Sequence, residues 1–193
     1  EHQKTVVEFI KSRGMACSVY GSQFLLEGLY EAGASDYVLE LMTATHDRSW
    51  WNMIAAGSTV ALEAWDMKYK PNLDWNHAWG AAPANIIPRY LWGIRPKTPG
   101  FGIITIEPQM SNLKKSSIKM PTVKGAITGE YEFVSNRRQQ YTIELPANTV
   151  AEFSLPNAAN AIVTLNGETT NPDFGSIRLK PGINQIEVRV NSF

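Results

Sequence analysis

Up to about Arg95 the apolar positions recur every three or four residues, the spacing that lines one face of an α-helix. Val6, Val7 and Ile10 form one stripe over Lys4–Arg13, which ends at Gly14, a residue suited to the left-handed conformation that closes helices. Tyr20, Phe24, Leu25 and Leu29 repeat the pattern over roughly Cys17–Ala32, ahead of Gly33. Ser35 is a good N-cap for a third helix through Val38, Leu39, Leu41 and Met42. A fourth helix is predicted from near Ser58 to Trp65. A fifth runs from about Ala82 to Trp92, with Pro83 tolerated in its first turn and Pro88 kinking it.

Beyond Pro96 the period changes from helical to two. Ile104 and Ile106 alternate with Thr105 and Glu107. Tyr141, Ile143 and Leu145 alternate with Thr142 and Glu144, and Ala151, Phe153 and Leu155 with Glu152 and Ser154. Ile186, Val188 and Val190 alternate with Glu187 and Arg189. Each strand therefore has one apolar face, which suits two antiparallel sheets packed face to face. Asn136-Arg137 reads as a hairpin tip and Asn166-Gly167 as a tight turn. The Pro- and Gly-rich stretch Arg95–Gly102 marks the boundary, giving a helical part over residues 1–96 and a sandwich over 97–193. Tyr131, Phe133, Tyr141, Phe153 and Phe174 are expected in the sandwich core.

Composition narrows the partners. Eighteen basic residues balance eighteen acidic ones, which argues against nucleic acid and anionic membrane surfaces. No apolar run approaches the roughly 18 residues needed to span a bilayer, and the first residues do not form a signal peptide. The single cysteine, Cys17, excludes an internal disulfide and reads as a small buried hydrophobe. Neither His2 nor His46 has a partner at metal-ligand spacing, so neither a metal site nor a cofactor is expected. Several of the five helices are apolar on more than one side, which predicts neighbours on both flanks and hence further protein upstream.

Trp50, Trp51, Trp65, Trp75 and Trp79 fall close together with Glu63, Asp66, Asp74 and His77. Sugar rings present C–H faces that stack on aromatics and hydroxyls that need polar partners, so carbohydrate sites combine both residue types. Packing between helices explains the same cluster, and one of Trp50 and Trp51 is expected to serve packing alone. The order of residues is more specific: Gly57-Ser58-Thr59, Leu62-Glu63-Ala64-Trp65, Trp75-Asn76-His77-Ala78-Trp79-Gly80, then Gly93-Ile94-Arg95-Pro96 leading into Pro99-Gly100-Phe101. This order resembles the C-terminal region of the family 78 glycoside hydrolases, the α-L-rhamnosidases. Val60 and Leu62 depart from it where the family more often has Thr and Trp.

The resemblance implies the last helices of an (α/α)6 barrel followed by an antiparallel β-sandwich. It also implies an inverting enzyme acting on rhamnose-containing carbohydrate. In such an enzyme one carboxylic acid protonates the leaving oxygen while a carboxylate on the opposite side activates water. Carried over by position, Glu63 is the general base, and His77 contacts sugar hydroxyls. Trp75, Trp79 and Trp65 are candidate walls of the pocket, while Asp66 and Asp74 are the rival carboxylates. The general acid is expected upstream, in missing N-terminal domains of the same chain, so residues 1–193 alone should be inactive. No compartment is encoded, although the resemblance favours a periplasmic or extracellular setting. Two other readings stay open: a non-catalytic carbohydrate-binding module, which exposed coplanar aromatics on a sandwich face would favour, and a helical-barrel glycosidase of other sugar specificity.

Overall fold

The computed structural model describes residues 2–155, 161–170 and 175–190, and these form two compact units, residues 1–87 and 88–193. No described helix is long and apolar enough to cross a membrane. The first unit holds α1 (His2–Arg13), α2 (Val19–Glu31), α3 (Ser35–Thr43), α4 (Trp50–Ala55) and α5 (Ala82–Ile86). α2 begins at Val19 because the Ser18 hydroxyl accepts the Gly21 amide at 3.1 Å, an N-cap that sets the first turn. It buries Val19, Leu26, Leu29 and Tyr30 and packs against α3 and α5. α3 starts at Ser35 itself, with Ala34 at the cap position. α1 carries the expected stripe, yet Val6 and Phe9 are exposed.

Two helix predictions need correction. Residues 58–65 are not helical: the fourth helix lies earlier, at α4, where the Ser49 hydroxyl caps the Asn52 amide at 3.1 Å. Gly57, at φ 93°, stops it in a conformation that glycine adopts without steric cost. Leu62 and Trp65 are both buried, but irregular, bent chain places them there. The expected fifth helix is regular only to Ile86 and continues as a π-helical turn, Ile87–Leu91. Pro88 lies in that turn and has no N–H to donate, so the wider turn replaces a sharp kink.

Among the described residues the second unit holds a sheet of four strands and one of six. β1 (Ile94–Pro96), β2 (Ile103–Ile106), β6 (Val150–Phe153) and β9 (Ile177–Leu179) are adjacent in that order in the smaller sheet. The larger sheet is ordered β3 (Lys115–Thr122), β4 (Gly125–Ser135), β5 (Arg138–Leu145), β10 (Gly182–Val190), β7 (Ala161–Leu165) and β8 (Glu168–Thr169). All pairings in the six-stranded sheet are antiparallel, but β2 and β6 run parallel, Ile103 opposite Val150. The sequence pattern had suggested antiparallel pairing throughout. β6 reaches β2 only after three strands of the other sheet, so no hairpin dictates its direction. Asn136-Arg137 and Asn166-Gly167 form the expected turns, with Asn166 at φ 53° and Gly167 at φ 87° as a tight hairpin requires.

The sandwich core interleaves Ile104, Ile106, Ala151 and Phe153 with Ile127, Tyr131, Tyr141, Ile143, Ile186 and Val188. Tyr141 stacks edge-on against Phe153 at 5.3 Å and lies directly across from Tyr131. Phe133 is half-buried, Leu155 lies just past β6, and Phe174 and the side chain of Val190 fall outside the described residues. Trp92, 1% exposed, lays its ring against Gly129 in β4, where a Cβ would meet that ring at 2.5 Å. Its indole N–H donates to Ser116 Oγ at 3.1 Å.

The buried polar residue Asn184 ties the β9–β10 turn. Its Nδ2 donates to the carbonyls of Lys180 (2.8 Å) and Gly182 (2.9 Å), and its Oδ1 accepts the Lys180 amide at 3.1 Å. Asn184→Leu strands those backbone groups away from water, at about 1–3 kcal/mol. We expect a matching fall in unfolding free energy by urea denaturation; an unchanged midpoint would remove Asn184 from the stability of the turn.

Candidate functional site

The candidate residues lie on irregular chain between α4 and α5, and backbone pairing gives that chain its shape. The Glu63 amide donates to the Asp74 carbonyl at 3.0 Å and the His77 amide to the Ala61 carbonyl at 2.8 Å, so 61–63 and 74–77 run side by side in opposite directions. Leu62 and Leu73 are buried, and the Leu62 amide lies 3.5 Å from the sulfur of buried Met53. Gly80 closes against the Leu62 carbonyl so tightly that a Cβ there has no room.

Between the paired stretches the chain reverses over Asp66–Leu73. Asp66 accepts the Lys68 amide at 3.0 Å and the Asn52 side-chain amide at 3.1 Å. These two donors hold its carboxyl below the usual carboxylate range. A carboxylate bonding the amide two residues on favours a turn over a helix at this point of the chain. Tyr69 donates its hydroxyl to Asp47, Lys68 pairs with Asp47 at 2.9 Å, and the Arg48 guanidinium lies 4.7 Å from the Tyr69 ring centroid. The turn is thus fastened to the segment before α4.

Glu63 receives a donor on each oxygen: the Lys70 ammonium on Oε1, and the Asp74 amide on Oε2 at 3.0 Å. The Lys70 contact, with the Asp74 amide second, holds the Glu63 carboxyl below the usual range. The group is ionised at neutral pH, its side chain 16% exposed. His77 follows through the pairing. Its Nε2 and the Tyr20 hydroxyl of α2 are hydrogen-bonded at 2.7 Å, and its Nδ1 lies 3.8 Å from Asp74 Oδ2.

The tryptophans separate into two layers. Trp79 is 71% exposed and meets Tyr20 and His77 edge-on at 5.1 and 5.9 Å, which leaves a ring face uncovered. Trp75 is also exposed. Trp65 is not on the surface: it is 3% exposed, donates its indole N–H to the Cys17 carbonyl at 2.7 Å, and packs edge-on against Trp50. As placed here it supports the layer above and presents no face to a ligand. Trp50 donates to the Gly80 carbonyl at 2.6 Å, whereas Trp51 is exposed.

The structure thus brings together Glu63, Asp74, His77 and Trp79, and keeps Asp66 to the turn. Sequence reasoning missed Lys70 and Tyr20, because neither lies in a motif and their partners are 7 and 57 residues away. One donor atom each from Glu63, Asp74 and His77 lie within 4.8 Å of one another, a set with metal-ligand chemistry that the spacing around His2 and His46 did not reveal. Lys70 already supplies a positive charge to it.

Two family models match the chain: the bacterial α-L-rhamnosidase six-hairpin glycosidase domain over residues 1–91 and the bacterial α-L-rhamnosidase C-terminal domain over 93–170. An α-L-rhamnosidase of Alteromonas sp. (strain LOR) is 28% identical over 185 residues, which are 89% of this chain and 19% of that protein. The α-L-rhamnosidase of Streptomyces avermitilis, solved with L-rhamnose, superposes with a TM-score of 0.78 at 21% identity over 97% of this chain and 19% of its own. A family 78 rhamnosidase of Bacillus sp. GL1 gives 0.62 at 25% identity over 72% of this chain and 15% of its own. The chain therefore spans about a fifth of the length of the relatives it matches.

The close approach of Gly80 to Leu62 generates a prediction. Gly80→Ala forces the paired stretches apart, and overpacking of this kind costs about 1–3 kcal/mol. We expect a lower melting temperature together with altered near-UV circular dichroism from the tryptophans; a wild-type spectrum and midpoint would show that Gly80 does not set the pairing.

Proposed function

The chain belongs to the bacterial α-L-rhamnosidase family, and from that membership we propose that the whole enzyme hydrolyses terminal α-L-rhamnosides with inversion, with Glu63 as its general base. The observation that carries the role is the Glu63 carboxylate, ionised and gripped at both oxygens beside an imidazole and an open indole face. A general base for water must be deprotonated and fixed in direction. Each carboxylate oxygen has two lone pairs, so one donor per oxygen leaves acceptor capacity for a water proton.

His77 contacts a sugar hydroxyl in this proposal. Tyr20 occupies Nε2 and fixes the ring plane, leaving the Nδ1 edge, which also faces Asp74, as the side open to the sugar. Trp79 offers its uncovered face to the C–H face of the sugar, and Trp75 a second wall. Asp74 does not complete the pair. Its donor atom lies within 4.8 Å of that of Glu63, whereas inverting carboxylates stand about 6.5–9.5 Å apart to admit water and the anomeric carbon. We assign the general acid and the rest of the barrel to parts of the enzyme outside these residues, and residues 1–193 alone to an inactive state.

Among the described residues of the sandwich the exposed large apolar side chains, Val123, Val134, Ile162 and Ile183, are aliphatic and offer no ring for a sugar to stack on.

In the full-length enzyme Glu63→Gln keeps the shape and removes the proton acceptor, which lowers kcat by about 10²- to 10⁴-fold. Azide needs no deprotonation, so with an activated aryl α-L-rhamnoside it should restore turnover and give the β-rhamnosyl azide. The wild-type enzyme should release the β-anomer first by NMR. Retention of configuration would sink the inverting reading, and wild-type kcat in Glu63→Gln without azide would move the base to Asp66 or Asp74.

A further inference from the structure

Glu63 is held in place by a residue from outside its own motif. Lys70 follows it by 7 positions, on the far side of the Asp66–Leu73 reversal, and its ammonium sits on Oε1. The lysine arrives with its backbone already fastened. Its carbonyl accepts the Leu73 amide at 3.1 Å, Leu73 is buried, and the preceding Lys68 and Tyr69 are both tied to Asp47. A flexible side chain loses less freedom in forming a contact when its root is fixed. The Lys70 side chain is 41% exposed while that of Glu63 is 16% exposed, so the ammonium reaches inward from a hydrated position.

We propose that Lys70 is the positioning residue of the Glu63 base, clamping Oε1 against the Asp74 amide on Oε2 so that the carboxylate keeps one orientation and stays charged; this rests on Glu63 being the base. Two donors in different directions fix the carboxylate plane, which a single contact would leave free to rotate. An ammonium suits the task because it is a point charge with rotatable donors and satisfies one oxygen without chelating both, as a guanidinium fork tends to do. It also neutralises part of the acidic charge that Glu63 and Asp74 bring together, which otherwise favours protonation of one of them. The groups facing Glu63 are Lys70, the Asp74 amide and carboxylate, and His77.

The test compares Lys70→Met, Lys70→Gln and Lys70→Arg with wild type and Glu63→Gln, in the full-length enzyme, by kcat and KM on an aryl α-L-rhamnoside across pH. Removing the ammonium lets Glu63 hold its proton to higher pH. The acid limb of kcat therefore moves to higher pH in Met and Gln, and the loss of kcat is larger at the acid end than at the alkaline end. Misplacement of the base adds a loss of up to on the order of 10²-fold at the pH optimum. KM changes little, and Lys70→Arg, which retains the charge, keeps the limb near its wild-type position. Lys70→Gln serves where Lys70→Met does not fold. An acid limb unmoved in the folded neutral variants, with Glu63→Gln inactive, overturns the Lys70 proposal alone. Wild-type kcat in Glu63→Gln overturns the base reading beneath it.

Discussion

The geometry of the site depends on two short stretches of irregular chain paired through their backbones. The Glu63 amide to the Asp74 carbonyl and the His77 amide to the Ala61 carbonyl are bonds of the kind that join strands, although neither stretch is long enough to be one. Pairing also turns a sequence separation of 14 residues into adjacency between a carboxylate and an imidazole. Without it the segment after α4 would be a long loop, and long loops do not hold side chains to the tolerance that chemistry requires. Buried Leu62 and Leu73 give the pairing its depth, and Gly80 lets a third stretch close over it.

Around that frame the polar groups are arranged as donors to one carboxylate. A divalent cation drawn to Glu63, Asp74 and His77 would take the same oxygens, but as a ligand the carboxylate would lose much of its ability to accept a proton. An ammonium holds it by hydrogen bonding and leaves lone pairs free. The same economy appears at His77, where Tyr20 occupies one nitrogen from a helix and the other faces outward beside Asp74. The supporting layer is aromatic: Trp65 and Trp50 direct their N–H groups to the carbonyls of Cys17 and Gly80, which ties the ends of the site to α2 and to the start of α5.

Much of the fold was legible in the sequence, because the signals that carried it are local. Helical spacing, the glycines at helix ends and the period of two after Pro96 each act within a few residues. The Asn166-Gly167 hairpin tip announced itself by residues tolerant of positive φ. Residues 58–65 misled because Leu62 and Trp65, three apart, match a helical face equally well when irregular chain buries both. The parallel β2–β6 pair was invisible, since strand direction across two sheets is decided by connections rather than by alternation. In the site, Glu63, His77 and Trp79 could be found because they fall in an ordered motif. Lys70 and Tyr20 carry no motif, and Trp65, read as a pocket wall, lies buried against Trp50 with its N–H on the Cys17 carbonyl.

The environment of Glu63 also bears on how the proposed reaction divides its labour. Inversion needs one carboxylate without its proton and another with it, and the two conditions require opposite surroundings. Every hydrogen bond that Glu63 receives, from Lys70 and from the Asp74 amide, favours the charged form. A carboxyl that must stay protonated needs burial or a negative neighbour and cannot share this ammonium. Within 4.8 Å of Glu63 the only other carboxylate of the cluster is Asp74, too near to leave room for a water molecule and the anomeric carbon between them. The donors that make Glu63 suitable as a base therefore make its surroundings unsuitable for the acid. The two roles must be separated in space, and the distance that inversion imposes between them follows from electrostatics as much as from the room a water molecule needs.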